Sequence, residues 1–369
     1  MGTESITLVN LNYNMIEKIE IQVEKISVII LNYNGSKYII NCVRSVLSCS
    51  YDNLEVILVD NKSTDQSVEI CIEVFAADTR MKIIKNTSNL GFAEGNNVGA
   101  KYATGEYLFF LNIDTEIQSN TIANCVCQFH SHSEVGIVQP KLILLNNKTI
   151  FDSAGDFIDM YGNAVRRGGD ALEIDQGQYD QDIDIFSARG AALMIQKSIY
   201  FESGGFDPIF FLDFEDIDLC WRVRLMGYNI KLAPTSIVYH AGVQIEKISD
   251  QNRARKFHQY KNKVIMVIKN YGTKRIITIL PVQILVFYIL ASAYGIVIRR
   301  DLQVPKLRIK AMVWLIANSG KIIRSRRFVQ KYLRKVPDKE IIKYMYKGLL
   351  WNENAHKKAF GRPAKKVGH

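Results

Sequence analysis

Four short apolar segments alternate with helical patterns over the first 112 residues, and this rhythm constrains the fold more than any other feature of the chain. Between the segments, apolar residues recur at helical spacing over about 36–49, 65–77 and 92–103. Strands that alternate with helices indicate βαβ units and a parallel sheet. The predicted strands are Ser27–Leu31, Leu54–Val59, Met81–Ile84 and Tyr107–Leu111.

The pattern changes after residue 114. Residues 136–195 are interrupted by glycines and predict short strands joined by turns. A helix is predicted over Asp213–Gly227, followed by two short strands that end at His240. The remainder, 253–369, is predicted to be mainly helical.

Charge divides the chain into two unequal parts. Residues 1–252 contain 19 basic and 33 acidic side chains, whereas residues 253–369 contain 28 basic and 4 acidic side chains. The overall charge of +10 therefore combines an acidic body with a strongly basic C-terminal region. Such a region favours an anionic partner, either nucleic acid or the surface of a membrane.

A 23-residue segment without charge, 276–298, favours the membrane. About 20 apolar residues span a bilayer core, so the segment is predicted to be spanning or re-entrant. The alternative is a buried helix in a basic soluble domain. Nucleic acid is not expected as a partner, because the basic region lacks interleaved aromatic residues and the acidic body would repel phosphates.

The cysteines and the N-terminus bear on location. All six cysteines lie in the acidic part, and Cys125 and Cys127 are too close together to form a zinc pair. Residues 1–24 contain four glutamates and no apolar core of signal-peptide length. We therefore expect reduced thiols in a domain that faces the cytosol.

Two aspartates follow predicted strands, and both suit nucleotide binding. Asp114 and Asn112 follow the apolar run Tyr107–Leu111, where a carboxylate and a second oxygen ligand could hold a divalent cation against a diphosphate. Asp60 ends the second strand, where an acidic residue commonly binds a ribose or a base. The alternatives are ordinary turn and helix-capping roles.

Three further features carry possible chemistry. Glycines at 91, 95 and 99 match neither the dinucleotide fingerprint nor a P-loop, and they could simply permit close helix packing. Glu215 and Asp216 are candidates for a general base, although acidic residues also stabilise a helix N-terminus. Asp218 and Arg222 are predicted to form a structural pair. His240 is either a loop histidine or a metal ligand beside Asp114.

Five motifs follow one another between about residues 25 and 245. They are Ser27–Gly35, Val59–Ser67, Asn89–Asn97, Leu111–Asp114 and Phe214–Arg222. Together they resemble family 2 glycosyltransferases of the GT-A fold, in particular the rhamnosyltransferase-like group. The resemblance implies inverting transfer of a sugar from a nucleoside diphosphate donor. The absence of the Gln-x-x-Arg-Trp motif argues for a single transfer per acceptor.

The resemblance also implies roles for individual residues. Asp60 would bind the base, Asp114 would bind Mg²⁺ or Mn²⁺, and Asp216 would be the general base. His240 would complete the metal shell. Glu215, next to Asp216, is the second acidic candidate for the general base. Asn112 stands where the family motif usually has its first aspartate, so its direct ligation of metal is in doubt. Further residues expected at the nucleotide-sugar site are Asn32, Asn34, Gly91, Asn97 and Asn112.

The sequence thus predicts an α/β protein in three parts. An N-terminal extension, 1–24, precedes a GT-A catalytic domain with a mixed sheet flanked by helices, 25–252. A basic helical region, 253–369, would attach the enzyme to the cytoplasmic face of the cell membrane, where a glycan or lipid-linked acceptor would be glycosylated. The competing hypotheses are a sugar-phosphate nucleotidyltransferase, which would need a basic loop after the first strand, and a non-enzymatic protein that binds membrane or nucleic acid.

Overall fold

The computed structural model describes residues 23–181, 183–242, 250–298, 300 and 302–350. The predicted N-terminal extension lies almost wholly outside this range, as do Arg299 and the chain beyond residue 350. The described part contains one large mixed sheet with helices on both faces, followed by a group of C-terminal helices.

The strands of the described part are β1 Ile26–Asn32, β2 Leu54–Asp60, β3 Met81–Lys85, β4 Tyr107–Asn112, β5 Thr115–Ile117, β6 Val135–Leu144, β7 Asn147–Ser153, β8 Asp156–Ile158, β9 Ala164–Arg166, β10 Ala192–Gln196 and β11 Asn229–His240. Nine of them form the large sheet. Its order is β3-β2-β1-β4-β10-β6-β11-β5, and β7 pairs with β6. The pairs among β1, β2, β3 and β4 are parallel, whereas β10 is antiparallel to both β4 and β6. A small antiparallel hairpin, β8–β9, lies outside this sheet.

The four predicted N-terminal strands are confirmed, each extended by one or two residues. The central side chains of β1, β2 and β4 are buried on both faces, as expected for parallel strands covered by helices, whereas the edge strand β3 is only partly buried. The helices of this half are α1 Ile39–Leu47, α2 Ser67–Phe75, α3 Gly91–Tyr102, α4 Thr121–Ser131, α5 Lys197–Glu202 and α6 Glu215–Leu225.

Two predictions differ from the structure in detail. The two short strands expected before His240 are one strand, β11, because the irregularity at Pro234 is a bulge between Ala233 and Ile237 and pairing with β6 resumes after it. Helix α6 starts two residues later than predicted, since Asp213 and Phe214 have left-handed φ values of 63° and 72°. Such values cannot belong to a right-handed helix.

The predicted helical character of the C-terminal region is confirmed within the described residues. Helix α8 continues through a π-helical turn, Leu285–Leu290, into α9, and a second π-helical turn, Val329–Leu333, follows α11. The helices are α7 Asp250–Asn270, α8 Thr273–Ile284, α9 Ala291–Val297, α10 Gln303–Ala317, α11 Ser319–Phe328 and α12 Asp338–Ile342.

One helix in the described part, Thr273–Val297, is long and apolar enough to cross a bilayer by length and composition. Its most apolar 18-residue stretch has a mean hydropathy of 2.3, and only 17% of that stretch is buried. The residues of α8–α10 that point away from the protein form an exposed apolar surface. That surface comprises Ile277, Leu285, Ile289, Leu290, Val297, Ile309, Val313 and Ile316.

Helix α7 is closely integrated with the sheet domain, despite its basic composition. The buried amide of Asn262 contacts the carbonyl oxygens of Phe210, Leu212 and Asp213 at 2.7–3.0 Å. Farther along α7, buried Lys269 donates to Asp218 at 2.9 Å. The loop before α6 is therefore held by α7 rather than by its own backbone hydrogen bonds alone.

Replacing Asn262 with Ala should destabilise the protein by about 2 kcal/mol, because the carbonyl groups of Leu212 and Asp213 lose their donor. Thermal denaturation monitored by circular dichroism measures the effect. Lys256→Ala on the exposed side of α7 is the matched control and should leave the melting temperature within a degree or two of the parent. Equal melting temperatures for Asn262→Ala and the parent would show that the loop does not depend on this side chain.

Candidate active site

Polar side chains from three strands meet at the carboxyl edge of the sheet. The register pairs Asn32 with Asp60 and places Asn112 beside Leu31. The buried Asn32 amide donates to Asp60 Oδ1 at 3.0 Å and to Ser67 Oγ at 2.8 Å, whereas its own Oδ1 is buried without a hydrogen-bond partner. This is the edge where open α/β sheets bind ligands.

The loops after β1 and β3 border this edge. The amide oxygen of Asn34 accepts from the Thr64 backbone N–H at 2.8 Å. Gly91 has a left-handed φ of 78°, and a side-chain carbon there would fall 2.6 Å from the carbonyl oxygen of Phe211. Asn97 is fully occupied within the protein, where it accepts from Tyr200 Oη at 2.6 Å and donates to the Phe206 carbonyl at 2.8 Å.

A cavity of about 710 Å³ opens beside the end of β4. Five of the residues singled out in the sequence line it, namely Asn112, Asp114, Glu215, Asp216 and His240. The other five, Asn32, Asn34, Asp60, Gly91 and Asn97, are not in its wall. The structure thus groups the acidic and metal-binding candidates with Asn112, and places Asn32 and Asp60 beside them at the sheet edge, whereas Asn97 lies in helix α3. Their binding roles stay predictions.

Asp114 and His240 face each other across the cavity wall. Nε2 of His240 lies 3.3 Å from Oδ1 of Asp114, and Nδ1 donates to Oδ2 of buried Asp152 at 2.9 Å. Burial lowers the pKa of His240, but the hydrogen bonds to Asp114 and Asp152 outweigh it and raise the pKa to about 9. A carboxylate on the far side of the ring is the usual support for a metal-binding histidine.

Within the described residues, no group of three or more His, Cys, Asp or Glu side chains is placed to hold a metal. Asp114 and His240 alone could supply only two protein ligands, so they suit a cation that takes most of its ligands from elsewhere. Mg²⁺ commonly uses one or two carboxylates and takes its remaining ligands from substrate phosphates and water. Asp114 is about one quarter exposed, so its carboxylate is accessible from the cavity.

Two buried aspartates and one arginine support the histidine from behind. Arg189 lies 3.6 Å from Asp152 and 3.4 Å from Asp156. Burial disfavours the ionised form of Asp152, yet the charges of Arg189 and His240 hold its pKa below the usual range. Burial raises the pKa of Asp156 to about 6. The sequence analysis missed these residues, because a lone Arg before a strand and two Asp around a turn carry no distinctive spacing.

The loop before α6 positions the second acidic group. Phe211, Asp213 and Phe214 all have left-handed φ values. Arg255 of α7 pairs with Asp213 through two hydrogen bonds of 2.8 Å, and this contact anchors the loop. At its end, Asp216 accepts from the Gly190 backbone N–H at 2.8 Å.

Glu215 and Asp216 differ in their surroundings. Glu215 is buried, its Oε2 has no hydrogen-bond partner, and burial together with neighbouring Asp216 raises its pKa well above the usual range. Burial also raises the pKa of Asp216, but the Gly190 N–H and the charge of Arg189 act against that rise. Asp216 is therefore the better candidate for a carboxylate that accepts a proton. The predicted pair of Asp218 and Arg222 is confirmed, buried and 2.9 Å apart.

The sheet and its ligand edge define a glycosyltransferase fold of the GT-A type. GalNAc-T7, solved with UDP, GalNAc and Mn²⁺, superimposes with a TM-score of 0.57 at 17% identity, over 85% of this chain and 59% of that one. S. aureus TarS 1-349 superimposes with a TM-score of 0.53 at 17% identity, over 87% and 89% of the two chains. The predicted fold class is confirmed.

Residues 27–153 match the model of Glycosyl transferase family 2, and the chain carries a domain of that family. Glycosyltransferase GlyG of Streptococcus pneumoniae is 38% identical over 99 residues, which are 27% of this chain and 33% of GlyG. The chain spans about a third to a half of the length of the curated relatives it matches. The family prediction is confirmed, whereas the rhamnosyltransferase-like subgroup stays a prediction.

Proposed function

We propose that the protein is an inverting glycosyltransferase. It transfers one sugar from a nucleoside diphosphate sugar to a hydroxyl group of a glycan or lipid-linked acceptor, with help from Mg²⁺ or Mn²⁺. The observation that carries the proposal is the shared cavity of Asp114, His240 and Asp216. It brings a cation-binding pair and an accessible carboxylate to the carboxyl edge of a family 2 domain.

Asp216 is the general base in this proposal. Its carboxylate accepts the proton of the acceptor hydroxyl while the oxygen attacks the anomeric carbon and the nucleoside diphosphate leaves. The Gly190 N–H keeps the carboxylate oriented toward the cavity. A side-chain carbon at Gly190 would lie 3.2 Å from the Phe92 ring and 3.4 Å from Asp216 Oδ2, so Gly190 packs closely against both residues.

Asp114 and His240 would hold the cation, with Asn112 as a neighbour that contributes no required ligand. A bound Mg²⁺ or Mn²⁺ acts as a Lewis acid that neutralises the charge of the departing diphosphate. Asp152 keeps the His240 ring oriented through Nδ1. Mn²⁺ is the ion to test first, because the structure of GalNAc-T7 contains it.

The nucleotide would lie along the adjoining edge of the sheet. Asp60 would bind the base, and Asn32, Asn34, Gly91 and Asn97 would border the donor. The Asn32–Asp60 hydrogen bond organises this edge. Asn32 Oδ1 is buried and has no hydrogen-bond partner. A hydroxyl group of the nucleotide sugar could reach it only if the surrounding residues moved.

Release of nucleoside diphosphate from a panel of nucleotide sugars, with and without Mn²⁺, tests the proposal. Full-length protein in membrane extract or detergent should release diphosphate from one donor, and Mn²⁺ should accelerate the release. Absence of turnover with every common donor, in the presence of membrane lipids and either metal, would contradict it. RNA binding that survives high salt would instead support the competing binding-protein hypothesis.

We also propose that the C-terminal helices lie in the plane of the membrane on its cytoplasmic face. Gln283 donates to the carbonyl of Tyr161 at 2.8 Å, and Tyr288 donates to the carbonyl of Tyr260. One side of the apolar segment is therefore fixed to the catalytic domain through Tyr161 and to α7 through Tyr260, and crossing the bilayer would break those contacts. The exposed apolar surface, in a basic region, suits an interfacial helix on anionic lipid.

Leu285→Glu and Ile289→Glu should each weaken binding to anionic phospholipid vesicles about tenfold, because a buried aliphatic side chain contributes about 1.5–3 kcal/mol. Sedimentation with vesicles measures the partition. Ile72→Glu places the same change on an exposed apolar residue of α2 and should bind as the parent does. Equal loss in all three variants would indicate a general charge effect rather than a defined membrane surface.

A further inference from the structure

The wall of the cavity opposite the sheet is built by the C-terminal helices. Gln259, Tyr260 and Lys263 come from α7, Phe287 and Tyr288 from the π-helical turn, and Arg308 from α10. The family match ends at residue 153, so this wall lies outside the segment that the family shares. It is the part of the cavity that an acceptor specific to this protein would contact.

Five basic residues line the cavity, and three of them are neutralised by carboxylates. Arg166 pairs with Asp152 and Asp170, Arg189 lies against Asp152 and Asp156, and Arg255 pairs with Asp213. Lys263 and Arg308 are different. Neither forms an ion pair with any side chain in the described part of the chain.

Arg308 is held in place by its neighbours, but one of its hydrogen-bond donors has no acceptor. Its guanidinium carbon lies 5.1 Å from the centre of the Tyr260 ring, and Nη1 is 3.4 Å from Ser292 Oγ. Nε is buried and has no hydrogen-bond partner. A buried charged donor without a partner is costly unless a ligand supplies the acceptor.

Lys263 lines the same cavity as Arg308. Nζ donates to Asn163 Oδ1 at 2.6 Å and lies 5.4 Å from the Phe287 ring. Burial lowers the pKa of Lys263 to about 8, with Asp159 acting against the shift and Arg308 adding to it. An anion between the two side chains would relieve both their repulsion and the missing hydrogen bond.

The surroundings of the pair indicate what kind of anion it would hold. Phe287 and Tyr288 face the cavity, whereas Leu285, Ile289 and Leu290 of the same π-helical turn are exposed on the apolar surface. A molecule bound at Lys263 and Arg308 thus lies next to a surface suited to a hydrocarbon chain. The cation-binding pair at Asp114 is formed separately, by the ends of the sheet strands.

We infer that Lys263 and Arg308 bind the phosphate or diphosphate group of an acceptor anchored in lipid. The inference rests on the proposed glycosyltransferase function, and it identifies the acceptor class. The acceptor's hydrocarbon chain runs along the exposed apolar surface, and its hydroxyl group extends toward Asp216. Arginine provides planar donors for phosphate oxygens, and lysine provides a compact charge.

Binding of full-length protein to phosphatidylcholine vesicles that contain polyprenyl phosphate, compared with vesicles that contain polyprenol, tests the inference without any donor. The parent should bind the phosphate vesicles at least tenfold more tightly. Arg308→Gln and Lys263→Gln should each reduce that preference about tenfold, because each removes a charge-assisted hydrogen bond. Arg308→Lys should restore part of it.

Lys306→Gln on α10 and Lys256→Gln on α7 are the matched controls, since both lysines are exposed and outside the cavity wall. Equal loss in these controls, or equal binding of the parent to both kinds of vesicle, would overturn the inference. A second arm measures the affinity for UDP and GDP with Mn²⁺. If Arg308→Gln and Lys263→Gln weaken nucleotide binding as much as polyprenyl phosphate binding, the pair belongs to the donor and the inference is wrong.

The vesicle assay separates this inference from the proposed function. If the protein turns over nucleotide sugars but binds phosphate-containing vesicles no better than polyprenol vesicles, only the acceptor site is refuted. Phosphate-dependent binding that is lost in the two variants supports the acceptor site. A parent that turns over no nucleotide sugar, in the separate donor assay, refutes the function on which the site rests.

Discussion

Asp216→Asn should lower kcat about 100-fold or more, because the amide keeps the shape of the side chain but cannot accept the acceptor's proton. Steady-state transfer to acceptor, with donor affinity measured alongside, tests this expectation. The fall should appear in kcat with little change in donor binding, since the proposed role of Asp216 is to contact the reacting hydroxyl rather than the nucleotide. Transfer at the parent rate would refute the assignment of Asp216.

Glu215→Gln is the matched control for this substitution. Burial and the adjacent Asp216 raise the pKa of Glu215 well above the usual range, which makes Glu215 a poorer candidate for the base than Asp216. The glutamine should therefore retain activity within about tenfold of the parent. A larger loss in Glu215→Gln than in Asp216→Asn would transfer the catalytic assignment to Glu215.

The pH profile adds an independent readout. A base works when deprotonated, so kcat/KM should fall as the pH drops through the pKa of Asp216. Burial raises that pKa above the usual aspartate range, so the acidic limb should begin at a higher pH than for an exposed aspartate. The limb should be absent from whatever activity Asp216→Asn retains.

Asp114→Ala should remove the dependence of donor binding on metal and lower kcat/KM by about 100-fold or more, since Lewis-acid stabilisation of a leaving group contributes several kcal/mol. Calorimetric titration with donor nucleotide, with and without Mn²⁺, measures the first effect. His240→Asn should weaken the response to metal about tenfold and leave it present. Equal donor affinity of Asp114→Ala and the parent, under both conditions, would exclude Asp114 from the metal site.

Much of the sheet could be predicted because the information is local. A buried parallel strand contains a short run of consecutive apolar residues, and β1, β2 and β4 each show a run of four or five. Polar residues directly after such runs must meet at one edge of the sheet, so the proximity of Asn32, Asp60 and Asn112 follows from topology.

The remainder of the site depends on contacts between distant segments, which no local pattern reports. Arg189, just before β10, contacts Asp152 and Asp156, more than thirty residues earlier in the chain. Nothing in the sequence around these three residues distinguishes them from charged residues in a surface loop. The charge of the C-terminal region indicated an appendage. Yet Asn262 and Lys269 are buried against the α6 segment. Net charge describes an average, and buried polar residues are exceptions to it.

The left-handed residues before α6 determine how much of the chain is needed for a working site. Phe211, Asp213 and Phe214 each hold a conformation that costs about 1–3 kcal/mol for a residue with a side chain. Arg255 and Asn262 of α7 offset that cost through their hydrogen bonds. A fragment cut after the last strand of the sheet would lose this support and let the loop relax, displacing Asp216. The smallest fragment expected to keep its base in place therefore extends through α7 to Asn270, more than a hundred residues beyond the end of the family match.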